Sequence, residues 1–172
     1  MDFKQHLRII PDHPTPGILF QDITTLLNNA GVFRAAVRAV ADQFRGKGIT
    51  KVVGIESRGF ILGAAVAYEL GVGLVPIRKK GKLPWKTYSV EYALEYGNDT
   101  IEIHQDALEA TDRVLIADDI IATGGTAYAS LGLVRKFNIP MANIFVCFLL
   151  DIREVPGKEK ELLKEHGYFS LV

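Results

Sequence analysis

VLIADDIIATGGT, residues 114–126, holds the most information of any stretch in the chain. It opens as a continuous apolar run (RVLIA, Arg113–Ala117), as expected for a strand buried on both faces of a parallel sheet. Two adjacent carboxylates follow, Asp118 and Asp119, then two isoleucines, then Ala122-Thr123-Gly124-Gly125-Thr126 opening a helix expected over Thr126–Phe137. The same alternation recurs outward from it. Lys51–Ile55 (KVVGI) reads as a strand, Phe60–Leu70 as a nearly all-apolar helix, and Leu74–Ile77 and Asn143–Leu150 as further apolar strands. Upstream, Phe33, Val37, Val40, Ala41 and Phe44 recur at helical spacing, and the helix should end near Gly46 and Gly48. Phe3–Ile9 suggests a short helix stopped by Pro11, Pro14 and Pro16. The class is therefore α/β, a central, mostly parallel sheet flanked by helices, in one domain spanning residues 1–172. Ligands of such sheets bind beyond the carboxyl ends of the strands. One segment breaks the pattern: Arg78–His104 reads as a β-hairpin or lid above the sheet, with Tyr88–Tyr96 extended and Ile101 and Ile103 alternating with polar residues.

Composition narrows the functions. The 172 residues are 48% hydrophobic and 23% charged, which suits a folded globular chain rather than a disordered or fibrous one. Twenty Lys+Arg balance twenty Asp+Glu, so no global field draws in nucleic acid or an anionic membrane, and neither is an expected partner. Cys147 is the only cysteine and sits in an apolar run, where it should be a small buried hydrophobe. The four histidines are scattered, with no HExxH, so no metal site built by protein ligands is expected. Gly59–Ile77 mimics a membrane span but is broken by Gly71, Gly73 and Pro76, and Met1–Arg8 lacks a signal-like apolar core; a cytoplasmic location is the expectation.

The chemistry of residues 118–126 follows from residue type. Gly124 and Gly125 permit positive φ and remove Cβ atoms, so backbone N–H groups can converge on one anion. The following helix adds its positive N-terminal end, and Thr123 and Thr126 add hydroxyl donors. Asp118 and Asp119 would repel that anion. They suit the vicinal hydroxyls of a ribose, or water on a magnesium ion. A phosphate at one end and a diol at the other describe a ribose 5-phosphate. The bland alternative is a tight turn, a Thr126 cap and two solvated aspartates. The loop is neither GxGxxG nor a P-loop, since it lacks GK[ST].

VLIADDIIATGGT resembles the phosphoribosyl-diphosphate signature of the type I phosphoribosyltransferases. PGILFQDITT (16–25), VGIESRGF (53–60), and RKKGKLP (78–84) with LEYG (94–97) resemble the adenine-specific branch of that family, in the same order along nearly the whole chain. The resemblance implies the type I fold, with a base-binding hood over about residues 1–30 and a flexible lid over about 79–104. It implies transfer of the 5-phosphoribosyl group from 5-phosphoribosyl 1-diphosphate to adenine, giving AMP and diphosphate. Mg²⁺ would be held mainly by substrate oxygens, and a homodimer is implied.

Residue roles follow from the same resemblance. Ala122–Thr126 would hold the 5-phosphate. Asp118 and Asp119 would hold the ribose side, directly or through magnesium-bound water. Glu56, Ser57 and Arg58 would bind the diphosphate around a cis peptide at Glu56–Ser57; on residue type alone, Ser57 could simply cap the next helix. Arg78, Lys79, Lys80 and Lys82 are four cations in five positions, implied to neutralise the same leaving group, with Arg78 reaching the neighbouring subunit; otherwise they are a solvated loop. Leu19 would read the adenine edge through its backbone, and Phe20 would stack on the ring or be plain core. Gln21 departs from the pattern, which commonly has Arg, and this puts base affinity rather than reaction type in question. Glu95 is implied to handle the base proton and Tyr96 to sit in the lid, although Glu95 alone is an ordinary surface carboxylate. Two other readings stay open: a type I enzyme for another base, and a nucleotide-sensing regulator without turnover.

Overall fold

The computed structural model describes residues 1–93 and 97–172. Its core is a seven-stranded sheet built from β3 (Lys51–Ile55), β4 (Gly73–Lys79), β5 (Thr87–Ala93), β6 (Asn98–His104), β7 (Val114–Ile121), β8 (Ile144–Asp151) and β9 (Phe169–Ser170). Their order is β5-β6-β4-β3-β7-β8-β9; β4, β3, β7, β8 and β9 run parallel, and β6 and β5 add an antiparallel edge. A separate hairpin, β1 (Arg8–Pro11) with β2 (Leu19–Asp22), forms from the N-terminal segment. The helices are α1 (Thr24–Asn28), α2 (Ala30–Phe44), α3 (Gly59–Leu70), α4 (Gly125–Arg135) and α5 (Lys158–His166).

Strand alternation divides the core between the two sheet faces. Val52, Leu115, Cys147 and Leu149 pack with Val37, Val40 and Phe44 of α2 and Leu62 and Val66 of α3. Val53, Ile116, Val146 and Phe148 pack on the other face with Leu131 and Val134 of α4. Each such side chain contributes about 1.5–3 kcal/mol of burial. Cys147 is fully buried, and burial pushes its thiol far up, as the apolar run foretold. Local signals set the helix ends. The Asn29 side chain accepts hydrogen bonds from Gly31 and Val32 to start α2, and Gly71 takes the left-handed conformation that stops α3.

Four expectations need correction. The chain opens with a 3₁₀ turn over Phe3–His6 and then enters β1, because pairing with β2 captures Arg8–Pro11. Arg78–His104 does not sit above the sheet: β4 runs on through Lys79, and β6 joins it with Arg78 opposite Glu102 and Lys79 opposite Ile101. Nor is β6 half exposed. Ile101 and Ile103 are core, and Glu102 is buried because its carboxylate accepts from the Gly81 amide at 3.0 Å. Finally, Asp118 and Asp119 lie within β7, whose pairing with β8 continues through Ile121 opposite Asp151.

Candidate active site

The parallel strands bring three segments to one end of the sheet: Glu56-Ser57-Arg58 after β3, the cradle after β7, and residues 152–157 after β8. Ala122–Thr126 lines a cavity of about 120 Å³ together with Asp118, Ile120, Ile121 and Ala127. Gly124, at φ +88°, sets the turn that starts α4. A Cβ there would lie 2.6 Å from the Lys160 amide nitrogen, so only glycine fits by both conformation and space. The Thr126 hydroxyl donates to the Tyr92 hydroxyl of β5 at 3.3 Å, which joins the cradle to the edge hairpin.

The two acids face a close helix end. A Cβ on Gly59 would lie 2.7 Å from Asp118 Oδ1 and 2.8 Å from the Ala117 carbonyl, so glycine lets α3 approach β7 at that point. The Asp119 amide donates to Asp118 Oδ1 at 2.9 Å, and Arg58 Nε lies 2.7 Å from Asp119 Oδ2. Asp119 is 3% exposed. Burial, together with the charge of Asp119, holds the Asp118 carboxyl well above its ordinary value. Burial also raises Asp119, and the Arg58 guanidinium opposes that rise. The pair is therefore costly to charge fully with Arg58 as its one adjacent cation among the described residues, and a further cation or hydroxyl donor at Asp118 would lower that cost. No group of three or more metal-ligating side chains forms among the described residues.

The basic segment is ordered by an acid. Glu56 accepts from Lys82 Nζ, from the Lys79 amide at 2.8 Å and from Arg78 Nη2 at 3.3 Å. Arg78 Nη1 also donates to the Lys82 carbonyl at 3.3 Å, and Lys79 Nζ pairs with Asp99 at 3.0 Å. Burial acts to raise the Glu56 carboxyl, but the three donors outweigh it and hold it at about 2. The Glu56 side chain thus gathers the cations of this segment. The Glu56–Ser57 peptide is cis, and Ser57 makes no side-chain cap on α3. Because the folded value lies below the ordinary 4.5, the stability Glu56 adds is present above that value and is lost as pH falls toward 2. Glu56→Gln should be less stable than the native chain near pH 7 and should lose less on going to about pH 3. Urea midpoints at the two pH values check this, and an unchanged pH difference would count against it.

In the hood, Leu19 is 64% exposed on β2, while the Phe20 ring packs edge-on against His13 with centroids 5.1 Å apart. Gln21 lines a different space, a cavity of about 410 Å³ bounded by Met1–Lys4, Leu150, Asp151, Arg153, Glu154, Leu171 and Val172. That cavity sets the hood beside the carboxyl end of β8. Glu95 and Tyr96 lie outside the described residues. Sequence reasoning missed the support beneath the cradle: Gly157 and α5 press on Thr123, and the buried Lys160 belongs to the run KEKELLKEH, where nothing distinguishes it from solvated lysines.

A family model described as a phosphoribosyl transferase domain matches residues 22–165. The chain belongs to the phosphoribosyltransferase family. Over 160 residues it is 51% identical to the adenine phosphoribosyltransferase of Maricaulis maris (strain MCS10), a match covering 93% of this chain and 90% of that one. The crystal structure of adenine phosphoribosyltransferase from Rhodothermus marinus DSM 4252 superposes with a TM-score of 0.87 at 47% identity, covering 98% of this chain and 94% of that chain. The enzyme from Giardia lamblia complexed with 9-deazaadenine superposes with a TM-score of 0.90 at 39% identity, covering 99% and 94%. The type I phosphoribosyltransferase fold expected from the signature is thereby established, and within the family the chain falls among the adenine phosphoribosyltransferases.

Proposed function

We propose that this chain transfers the 5-phosphoribosyl group from 5-phosphoribosyl 1-diphosphate to adenine, giving AMP and diphosphate, a purine-salvage reaction. The observation that carries this reading is the cradle: a glycine turn at the N-terminus of α4, lining a small cavity with Asp118 and followed on the same side of the sheet by Arg58 and the basic segment. The Ala122–Thr126 amides and hydroxyls grip the 5-phosphate, and this fixes C1′ relative to the hood. Asp118 and Asp119 accept from the ribose hydroxyls or from magnesium-bound water. Arg58, Arg78, Lys79 and Lys82 stabilise charge on the departing diphosphate, with Arg78 and Lys82 gathered by Glu56, Lys79 by Asp99 and Arg58 by Asp119. N9 of adenine attacks C1′ as the C1′–O bond breaks; the N9–C1′ bond forms and the base loses its proton, for which Glu95 is the candidate acceptor. Leu19 and Phe20 hold the base, with Gln21 behind them. Within the lid segment 79–104, the parts outside the buried β6, with Tyr96, close over the substrates to exclude water, and 1–30 act as the hood of a single domain.

Adjacent carboxylates with no third ligand among the described residues suit Mg²⁺, an ion that keeps its waters and takes phosphate oxygens. When bound, it neutralises diphosphate charge. Purified protein with Mg²⁺ and the sugar diphosphate should convert adenine to AMP. Hypoxanthine, guanine, xanthine and orotate should react far more slowly, and EDTA should stop turnover. GMP or XMP formation without AMP would overturn the base assignment. No described helix is long and apolar enough to cross a membrane; a cytoplasmic site follows from the charged substrates, which do not cross bilayers unaided, and fractionation with the membranes would contradict it.

The chain is also proposed to pair with a second copy of itself. Ile61 and Tyr68, one helical face of α3, are 45% and 88% exposed, with Leu74 and Trp85 at 41% and 64%. An apolar surface of that kind favours burial against a partner. Sedimentation should give twice the chain mass, and Tyr68→Glu should shift it toward the monomer; a wild-type monomer at micromolar concentration would refute the pairing.

A further inference from the structure

We infer that the buried Lys160–Asp151–Tyr168 cluster is a positioning device for the 5-phosphate cradle, an inference that rests on the phosphate reading of Ala122–Thr126. Lys160 is 1% exposed. Its Nζ lies 2.6 Å from Asp151 Oδ1 and donates to the carbonyls of Ile152 at 2.6 Å and Val155 at 3.4 Å. The Tyr168 hydroxyl donates to the other Asp151 oxygen at 2.7 Å, so three elements, β8, α5 and the segment before β9, meet on one ammonium and one carboxylate. Burying a charged pair is costly, and its many partners make this one directional rather than merely cohesive.

The direction leads to the cradle. The Lys160 amide, in the first turn of α5, donates to the Thr123 carbonyl at 3.1 Å. Gly157 packs against the same residue so closely that a Cβ there would overlap the Thr123 carbonyl. In a planar trans peptide the C=O and the following N–H point opposite ways. Tying the Thr123 oxygen to α5 therefore turns the Gly124 N–H away from α5. The Ile152 amide anchors the end of β7 in the same manner, donating to the Ile121 carbonyl at 3.0 Å. Lys160 thus grips residues 151–155 with its side chain and the cradle with its backbone. It joins the carboxyl end of β8 to the loop after β7 without touching substrate.

The test is ligand binding by calorimetry with ribose 5-phosphate and, separately, diphosphate. Lys160→Met should weaken ribose 5-phosphate by about tenfold, as a slightly misplaced cradle would, and leave diphosphate within about twofold. Tyr168→Phe, which keeps the ion pair, should give a smaller loss of the same selectivity, about threefold, and decides the matter if Lys160→Met fails to fold. In turnover, both variants should raise KM for the sugar diphosphate more than they lower kcat. Equal losses for both ligands, or unchanged ribose 5-phosphate affinity in the folded variant, would overturn the positioning role. Failure of the wild-type protein to bind ribose 5-phosphate would instead strike the phosphate reading itself.

Discussion

Gly125→Val should lower kcat/KM for AMP synthesis by about 1,000-fold, near 4 kcal/mol of transition-state stabilisation, with little change in thermal midpoint. A Cβ on Gly125 would meet only ordinary contacts, the Ala93 carbonyl at 3.5 Å and the Tyr92 ring at 3.6 Å, and the residue is the first of α4. The fold therefore tolerates a side chain that the 120 Å³ cavity cannot share with a phosphate. Gly124→Val is the contrasting variant. Its φ of +88° and the Lys160 amide 2.6 Å from the new Cβ mean that it should lose stability as well as activity. Melting curves alongside steady-state rates separate the two. A Gly125→Val variant with normal turnover would refute the cradle.

Asp119→Asn should cost about 100-fold in kcat/KM and yet leave the protein as stable as before, or more so, at neutral pH. The sign follows from the raised carboxyls. When a folded-state value lies above the unfolded one, the native chain holds more protons, and stability falls as pH rises from the ordinary carboxylate range through the raised value. Removing one charge relieves its partner, while Arg58, 54% exposed at its side chain, finds water in place of Asp119. On the proposed reading of the site, the loss of activity would come from the missing acceptor on the ribose side and the freed guanidinium. Denaturation midpoints from about pH 5 to 8 should decline less steeply in the variant than in the native chain. A variant that melts earlier but turns over normally would make Asp119 a structural residue.

Much of this site was legible without coordinates, for reasons that differ between its parts. Residues 114–126 announce themselves because strand, acids, glycines and helix are contiguous, so local geometry carries the chemistry. The run 78–82 was visible as charge, but its use depends on Glu56, twenty-two residues before Arg78 in the chain. No local pattern marks that carboxylate as the organiser of the cations. β6 misled because Glu102 looks solvent-facing in a strand, whereas the Gly81 amide repays its burial. α5 and β9 were unreadable, since a short charged helix owes its existence to packing rather than to an amphipathic stripe.

What the sequence by itself determined is the α/β class, the alternation of apolar core strands with helices along the chain and the glycine turn that opens α4, because hydrophobic period and glycine stereochemistry are properties of neighbouring residues. Tertiary structure alone decided where the edge hairpin joins, that the acids lie inside β7, and that Lys160 is a buried strut rather than a surface charge. Those outcomes depend on which distant groups compensate a buried charge or an unpaired amide, and such compensation is set by the assembled sheet, not by the chain around each residue.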